Sequence, residues 1–400
     1  MKLNVAVFFG GESVEHEVSI ISAHQAMEAM DKEKYTVLPV YVAKSRKLYY
    51  SPDLLNIEKF KDLKAIETNY PQVTLVNVDN KVVIQPVKTT LFGKKELAVV
   101  DVAVPVMHGT NGEDGTIQGY LEMLKLPYAG CDLYGAAVGQ DKVLMKHILQ
   151  DNGLPMTEWF WVYGHEIDDH KEEVLKKVHK LMYPVILKPA RTGSSVGIAI
   201  AHNDEEYPRQ YDEKVITEKA VHPLREINCS VLGDAYHMET AVLEEVTNGD
   251  DADNFLDFNK KYMSKGSKSG SKSSDSKSAG MASTARRLPA PVSEEETELI
   301  QKYAKETFKV LGCSGVCRID FLMDAETHHI YVNEINTIPG SLAFYLWEAT
   351  GLSFSELMDK LVQLALDRER RRSRMTFSYE TNLLSNYSAN GAKGAKGSKM

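Results

Sequence analysis

Two apolar segments in the last quarter of the chain carry polar residues at a spacing that suits metal and phosphate chemistry. Arg318 and Asp320 lie two residues apart in CRIDFLMD. Glu334 and Asn336 have the same spacing in HHIYVNEIN. Residues i and i+2 of a strand share a face, so all four share one face if the strands are neighbours. Carboxylate and amide oxygens suit Mg²⁺, and Gly340 in the following turn can bring a backbone N–H near a developing negative charge. A solvated sheet face with an ion pair is the alternative.

The segment YPVILKPARTGSSVGI indicates a phosphate site. Lys188 ends an apolar run and precedes a Gly/Ser loop that extends from Gly193 to Gly197. Backbone N–H groups and hydroxyls in such a loop can surround phosphates, and a lysine at its base can bind them as a point charge. The residue order is not that of a P-loop. The competing interpretation is an ordinary Ser/Gly turn, with Lys188 and Lys142 as surface lysines.

Two glutamates follow in VITEKAVHPLREIN. Glu218 comes after a buried strand, and Glu226 begins a predicted hairpin. Their carboxylates could accept hydrogen bonds from the 6-amino group of adenine or from ribose hydroxyls. From spacing alone, a salt-bridged surface glutamate is equally compatible with both positions.

The first Gly-rich loop, FFGGESVEHEVS, places Glu15 and Glu17 at a predicted helix start, where the helix dipole favours negative charge. The functional alternative is that Glu15, beyond the carboxyl end of a strand, receives a substrate ammonium group. His108 and Gly109 in the second Gly-rich loop could face the same crevice. A single histidine such as His108 is more often structural.

Alternating elements must position these loops. LNVAVFF predicts a buried strand, Gly10–Gly11 a turn, EVSIISAHQAMEAM a helix and YTVLPVYV a second strand. VVDVAVPV predicts a further strand that ends at Val106. This order is typical of an open α/β sheet, in which ligands bind beyond the carboxyl ends of the strands. Both Gly-rich loops, after Phe9 and after Val106, lie at such ends.

Downstream, shorter strands and helices predict an α+β region. REINCSVLGDAYHMETAVLEEV indicates a hairpin that turns at Gly233–Asp234. A capped helix is predicted with Ser293 as N-cap, Glu296 at the third position and Gly312 at its end. SFSELMDKLVQLALDRERRR predicts the last helix.

Composition limits the class of protein. A chain of 400 residues predicts two or three domains, and a net charge of −9 argues against nucleic acid as the main partner. No apolar run approaches the roughly 20 residues that span a bilayer, and the N-terminal run predicts a strand rather than a signal peptide. Four cysteines do not make a disulfide framework, which predicts a cytoplasmic location. Cys313 and Cys317 have no matching Cys/His pair and are predicted to be small buried residues rather than zinc ligands.

Eight motifs occur in one order: GGESVEHEVS, HGTNGEDGTIQG, DK, LKPARTGSSVG, EK…E, KKY, RID and NEINTIPG. Each is moderately specific, but eight in register are very specific. From Met1 to about Ala365 the chain closely resembles the D-alanine–D-alanine ligases of the ATP-grasp superfamily. The resemblance implies an ATP-grasp fold with an N-terminal open α/β domain. The implied divisions are 1–130 for substrate binding, 131–220 and 221–375 for the two ATP-grasp subdomains with a lid at 261–288, and 376–400 as a low-complexity tail.

The resemblance implies ATP binding and a role for each matching position. Lys142 and Lys188 are implied to contact the ATP phosphates, Glu226 the ribose, and Glu218, with the backbone of Ala220 and Val221, to form the adenine hinge. The further implied ATP contacts are Ser195, Lys219 and Lys261. The implied ligands of Mg²⁺ or Mn²⁺, typically two ions, are Asp320, Glu334 and Asn336. Arg318 and the Gly340 amide are implied to stabilise the tetrahedral intermediate. Glu15 is implied to hold the ammonium of the first D-alanine, in a hydrogen-bonded trio with Ser194 and Tyr262, and His108 is implied to lie near the carboxyl end of that substrate.

The implied chemistry rests on charge and positioning. The carboxylate of the first D-alanine attacks the γ-phosphate of ATP, and the amine of a second D-amino acid attacks the resulting acyl phosphate. Positioning and electrostatics carry most of such catalysis, and the acyl phosphate must be shielded from water. The product is a dipeptide for peptidoglycan precursors. A homodimer is expected from the resemblance alone.

One position departs from the family pattern. The family commonly has a serine nine residues after the asparagine of NTxPG to bind the second substrate, whereas this chain has Tyr345. Tyr345 and Ser341 can both donate a hydrogen bond, but the pocket differs in shape. D-Alanine is the expected acceptor, with D-serine or D-lactate as the alternative. A non-catalytic nucleotide-binding protein is the remote alternative, which the intact metal and phosphate residues disfavour.

The stretch from Met263 to Ser283 has nine Ser, four Lys and three Gly among its residues. That composition is typical of a flexible interdomain linker. Its position directly after Lys261 and Tyr262, inside one predicted domain, instead predicts a mobile cationic lid over the nucleotide.

Overall fold

The computed structural model describes residues 2–88, 96–193, 196–207, 213–247, 286–379 and 382. Four predicted site residues, Ser194, Ser195, Lys261 and Tyr262, lie outside the described residues. The predicted lid from Met263 to Ser283 and most of the predicted tail also lie outside them. Among the helices in these ranges, none has the length and apolar character needed to cross a membrane.

A seven-stranded sheet forms the N-terminal part. Its strands are β1 (Leu3–Gly10), β2 (Tyr35–Val42), β3 (Leu48–Tyr50), β4 (Gln72–Val78), β5 (Lys81–Pro86), β6 (Ala98–Val100) and β7 (Val102–Pro105). The strand order is β6-β5-β4-β3-β2-β1-β7. Strand β1 is parallel to β2 and β7, whereas β2 through β6 pair antiparallel in sequence. The predicted open α/β arrangement is therefore present, with an antiparallel extension.

The antiparallel extension was not predicted. Its β4–β5 hairpin turns at Asp79 and Asn80, which have φ values of 51° and 62°. Two positive φ angles in a two-residue turn match the right-handed twist of a hairpin, so this Asp-Asn pair is the signal that could have found it. The single predicted strand VVDVAVPV is wrong in detail. It divides at Asp101 into β6 and β7, because the Asp101 carboxylate and backbone N–H both bond to Asn4.

Two further sheets follow along the chain. The four-stranded antiparallel sheet has the order β10-β9-β11-β8 and contains β8 (Trp159–Tyr163), β9 (Val185–Pro189), β10 (Ala199–Ala201) and β11 (Lys214–Lys219). The six-stranded sheet contains β12 (Leu224–Gly233), β13 (Met238–Thr240), β14 (Glu244–Val246), β15 (Arg286–Arg287), β16 (Gly315–Asp324) and β17 (Ile330–Asn336). The predicted hairpin is confirmed, since β12 and β13 pair around Gly233.

Helices cover these sheets. They are α1 (His16–Ala29), α2 (Leu63–Asn69), α3 (Thr116–Met123), α4 (Leu133–Gln140), α5 (Lys142–Asp151), α6 (Gly164–Asp169), α7 (Lys171–Leu181), α8 (Glu294–Val310), α9 (Phe344–Thr350) and α10 (Phe354–Arg372). The predicted capping box of α8 is confirmed: Ser293 accepts from the Glu296 N–H, and the Glu296 carboxylate accepts from the Ser293 N–H.

The N-terminal sheet and the C-terminal helices share one core. Val5 and Phe9 on one face of β1 belong to the same buried cluster as Leu357 and Leu361 of α10. This follows from the two-residue period of a strand, which sends alternate side chains to opposite faces. Trp347 of α9 is 1% exposed in that cluster. The last helix is therefore part of the platform that supports the N-terminal sheet.

Replacing Trp347 by alanine is expected to lower the free energy of unfolding by about 3–5 kcal/mol, because it leaves a cavity in this shared core. The matched control is Tyr134→Ala, which removes an aromatic side chain that is 76% exposed and should change stability by less than about 1 kcal/mol. Urea denaturation followed by circular dichroism measures both. Equal midpoints for the two variants would contradict the shared core.

Candidate active site

Strands β16 and β17 lie side by side and bring the two predicted residue pairs together. Arg318 pairs with Asn336, and Asp320 pairs with Glu334. The register shifts between Asp320 and Phe321, which marks a β-bulge beside these residues. Bulges commonly re-aim side chains next to functional sites. The sequence predicted a shared face for these four residues only if the two strands are neighbours, and the fold meets that condition.

Arg318 and Asp320 form a bidentate ion pair. Arg318 Nε is 2.7 Å from Asp320 Oδ1, and Nη2 is 2.8 Å from Oδ2. The Asn336 side-chain nitrogen also donates to Asp320 Oδ2, at 3.0 Å. Burial opposes the charge of Arg318, but the Asp320 carboxylate outweighs it and raises the pKa of the guanidinium further. Arg318 is thus a fixed cation beside a cluster of oxygen donors.

The two predicted phosphate lysines approach the same strand pair. Lys142 Nζ lies 3.5 Å from Glu334 Oε2 and donates to the Thr192 carbonyl at 3.1 Å. Lys188 Nζ donates to Asn333 Oδ1 at 2.7 Å. Asn333 lies beside Glu334 on β17. The lysines are therefore cleft residues and not the surface lysines that the competing interpretation required.

Glu218 is part of a buried ion network. Its Oε1 lies 3.2 Å from Lys146 Nζ, and its Oε2 lies 3.3 Å from Lys188 Nζ and accepts from Thr157 Oγ1 at 3.1 Å. Burial alone would raise the pKa of Glu218, but Lys146 and Lys188 outweigh it and lower the pKa to about 2. Glu218 is thus ion-paired and buried, not the surface glutamate of the alternative interpretation, and its contact with adenine stays a prediction.

Lys146 was missed by the sequence reasoning. Its side chain is 1% exposed, and its Nζ lies 5.8 Å from the ring centroid of Trp159. Burial lowers its pKa, and Glu218 opposes that shift. Lys146 follows Lys142 by four residues on α5, so both point from one side of the helix. That spacing is the signal that could have grouped them.

Glu15 and the two Gly-rich loops form the opposite wall. Gly10 has φ of 92°, and a Cβ at this residue would lie 2.3 Å from the Val42 carbonyl oxygen, so the turn requires glycine. A Cβ on Gly109 would lie 2.9 Å from Glu15 Oε2. The second loop therefore runs directly against the Glu15 carboxylate, which lines the cleft.

His108 joins the N-terminal loop to the turn after β17. Its Nδ1 is 2.8 Å from the Ile338 carbonyl oxygen, and its Nε2 is 2.9 Å from Ser22 Oγ. Burial lowers the pKa of His108, with Glu15 opposing. A neutral His108 that donates from Nδ1 to Ile338 satisfies this geometry.

Glu113 was also missed and makes the same junction. One carboxylate oxygen accepts from the Gly109 N–H at 2.9 Å, and the other accepts from the Ile338 N–H at 2.8 Å. Burial, and secondly the charge of Glu15, raise the pKa of Glu113 to about 8. Two loops that are more than 200 residues apart in sequence are held by one carboxyl group.

Tyr345 and Ser341 take different positions. Tyr345 lines the cleft, and its hydroxyl donates to Glu244 Oε1 at 2.7 Å. The Arg286 guanidinium lies 4.2 Å from the centroid of the Tyr345 ring. Ser341 donates from its hydroxyl to Gln25 and from its backbone N–H to Ser22 Oγ. Ser341 thus binds the N-terminal part and does not line the cleft.

Most of the predicted site residues that the structure describes line one cleft. It is lined by Glu15, His108, Lys142, Lys188, Glu226, Arg318, Asp320, Glu334, Asn336, Gly340 and Tyr345. The predicted residues that lie outside its lining are Glu218, Lys219, Ala220, Val221 and Ser341. The lining also includes residues that were not predicted, among them Glu113, Asn228, Glu244, Arg286 and Asn333.

The raised pKa of Glu113 should make the stability of the protein depend on pH. Because its folded value of about 8 lies above the ordinary 4.5, the folded protein holds a proton that the unfolded chain releases between these values. The free energy of unfolding should therefore fall as pH rises through this window, by at most ~1.4 kcal/mol per unit for this group. Glu113→Gln removes the dependence. Urea titrations at about pH 5 and about pH 8.5 compare the two proteins. Parallel stability profiles would contradict the assignment.

Comparisons with known proteins agree over nearly the whole chain. The protein-family model of the D-ala D-ala ligase N-terminus matches residues 4–131, and the family model of the D-ala D-ala ligase C-terminus matches residues 148–363. The D-alanine--D-alanine ligase of Thermosipho melanesiensis is 38% identical, over 96% of this chain and 98% of that protein. The enzyme of the same name from Thermoanaerobacter sp. strain X514 is 38% identical, over 93% and 99%.

Solved structures give the same result. The D-alanine-D-alanine ligase from Coxiella burnetii is similar with a TM-score of 0.74 and 26% identity, over 93% of this chain and 96% of that chain. The VanG D-Ala:D-Ser ligase from Enterococcus faecalis is similar with a TM-score of 0.68 and 27% identity, over 91% and 100%. Given these matches and the cleft they accompany, the chain belongs to the D-alanine–D-alanine ligase family and has its ATP-grasp fold.

Proposed function

We propose that the protein is an ATP-dependent, ADP-forming ligase that joins two D-alanines into D-alanyl-D-alanine for peptidoglycan precursors. The observation that carries the proposal is one cleft in which oxygen donors, Asp320 and Glu334, face the cations Lys142 and Lys188, with Glu15 on the opposite wall. The relatives at 38% identity are named for this reaction. In this proposal the part up to residue 130 binds the amino acid, while 131–220 and 221–375 enclose the nucleotide.

The phosphate end of the cleft fits the metal that the family implies. Asp320, Glu334 and Asn336 offer carboxylate and amide oxygens, which are the donors that Mg²⁺ or Mn²⁺ prefers. One or two such ions bound there would neutralise phosphate oxygens and make the γ-phosphorus a better electrophile. Lys142 and Lys188 add fixed positive charge on the facing wall, so ATP phosphates would meet cations on both sides.

The adenine end uses backbone groups in this proposal. The N–H groups of Lys219 and Ala220 donate within the fold to the carbonyls of Glu158 and Pro184. The carbonyl oxygens between Lys219 and Val221 are therefore the groups that we propose to accept the 6-amino group. Glu226 lines the cleft further along the chain and is the proposed ribose contact.

The first D-alanine would bind between the two walls. The Glu15 carboxylate holds its ammonium group, which leaves the substrate carboxylate directed at the phosphates. That carboxylate attacks the γ-phosphorus, and ADP leaves. His108 is buried and bonded through both ring nitrogens, so its role is to fix the loop beside the substrate.

The second D-alanine would complete the reaction. Its amine attacks the acyl carbon, and the oxygen that becomes negative is stabilised by Arg318 and the Gly340 N–H. The carbon–oxygen bond to phosphate then breaks, phosphate leaves with its electron pair, and the attacking nitrogen loses a proton to solvent as the peptide bond forms. Tyr345 shapes the second pocket from the side where its ring meets Arg286. The family resemblance also supports a homodimer, which sedimentation equilibrium distinguishes from a monomer.

The acceptor is tested by phosphate release from ATP and Mg²⁺. We expect D-alanine alone to be sufficient and the product to be D-alanyl-D-alanine by mass spectrometry. Parallel reactions contain D-alanine with D-serine or D-lactate. If phosphate is released only when D-serine or D-lactate accompanies D-alanine, the acceptor is one of those two compounds. If no combination releases phosphate, the protein is not this ligase.

Glu334→Gln is expected to lower kcat by at least about 100-fold, because it replaces a charged oxygen donor beside the phosphates. Circular dichroism and thermal unfolding should show little loss of fold. The matched control is Glu326→Gln, the same chemical change at an exposed glutamate in the turn between β16 and β17. If both variants keep the original kcat, Glu334 has no part in the reaction.

A further inference from the structure

Three of the four cysteines converge at one buried point away from the cleft. The sulfur atoms of Cys131, Cys313 and Cys317 all lie within 4.8 Å of one another, and those of Cys131 and Cys317 are 3.5 Å apart. All three side chains are buried, and none is in a disulfide. Cys313 and Cys317 showed no partner in the sequence because Cys131 is 186 residues before Cys317. The fold supplies the third sulfur.

The sulfur spacing matches three-fold coordination. A metal about 2.3 Å from each of three sulfurs places those sulfurs roughly 4 Å apart in a trigonal arrangement. The sulfur atoms of Cys131 and Cys317 are 3.5 Å apart and no pair of the three is more than 4.8 Å apart, so the spacing is close to that value. Small shifts of side chains that already converge would therefore form the site, without movement of the backbone.

We propose that Cys131, Cys313 and Cys317 form a three-thiolate site for a soft monovalent cation, Cu(I). Thiolates select soft cations, and Zn²⁺ in structural sites takes four ligands. In the described part of the chain no further cysteine, histidine or carboxylate joins this group. On binding, each thiol loses one proton to solvent, so three protons leave as one cation enters and the site gains a net charge of −2.

Arg368 supplies a counter-charge at this point. Its guanidinium donates to the Gly130 carbonyl at 2.7 Å and to Ser314 Oγ at 2.9 Å, and it lies 4.2 Å from the centroid of the Tyr128 ring. Arg368 thus bonds to both chain segments that carry the cysteines.

The two segments are already in contact at the backbone. Gly315 has φ of 80°, and a Cβ there would lie 2.6 Å from Gly130 Cα. Cys317 is followed directly by Arg318 of the cleft, and neighbouring strand residues point to opposite faces. A metal at the three cysteines would therefore link the end of the N-terminal part to one face of β16. The oxygen donors of the cleft lie on the opposite face of that strand.

The test uses the full chain, reduced and kept without oxygen. Cu(I) is offered as its bicinchoninate complex, and the loss of the coloured complex measures transfer to the protein. We expect the wild type to take one equivalent, with a higher Tm afterwards. Cys131→Ser and Cys317→Ser should bind Cu(I) at least about 100-fold more weakly than the wild type. Such a loss exceeds the usual effect of removing a residue that only contacts a metal ligand. Neither variant should show the rise in Tm.

Cys229→Ser is the matched control. Cys229 is buried in the same apolar cluster, on the strand beside β16, but is not among the three converging sulfurs. It should bind Cu(I) as the wild type does. Cys131→Ala repeats the test without adding a hydroxyl, and circular dichroism confirms that each variant is folded. No transfer to the wild type, or equal affinity in wild type and the Cys131 variants, overturns the proposal. Loss of two thiols to a disulfide in place of metal uptake also overturns it.

Discussion

The buried carboxylate of Glu218 is the contact on which the nucleotide side of the cleft depends. It holds Lys188 of β9 and Lys146 of α5 from its own position on β11. Removing one partner of a buried ion pair costs about 3–5 kcal/mol, since a charge is left in a medium that does not solvate it. The three elements are therefore fixed relative to one another. Lys142 begins α5, so the same contact also sets the lysine that reaches Glu334.

The amino-acid side depends on a second set of contacts that closes the chain on itself. Glu113 and His108 each bond to the backbone of Ile338, and Ser22 receives the Ser341 N–H. These bonds position the turn that contains Gly340. Groups in the N-terminal part thus position the Gly340 N–H that is proposed to stabilise the intermediate. Neither part of the chain contains the complete site.

Sequence reasoning succeeded where chemistry follows from local geometry. The spacing of Arg318 and Asp320 required a shared face as soon as the segment was a strand, and the Ser293 cap required a helix start. It failed where the partner is remote. The partners of Glu113 and Cys131 are remote in sequence, at Ile338 and Cys317, so no local spacing indicates them. The spacing of Lys146 from Lys142 could have grouped the two lysines, but it could not show that Glu218 is their neighbour. For Glu218, the sequence could not show that the carboxylate is buried between two lysines, because Lys146 and Lys188 lie on other elements.

The three tryptophans of the chain are divided between these regions. Trp159 and Trp161 lie on β8, each with a lysine ammonium within 6 Å of its ring, and the Trp159 partner is Lys146 of the buried network. Trp347 lies in the core under the N-terminal sheet, where its indole N–H donates to Ser230. The molecule consequently contains two separate optical reporters. The β8 indoles lie against lysines on the nucleotide side of the cleft, whereas Trp347 is sealed in the shared core, so the two groups of tryptophans would report on different parts of the molecule.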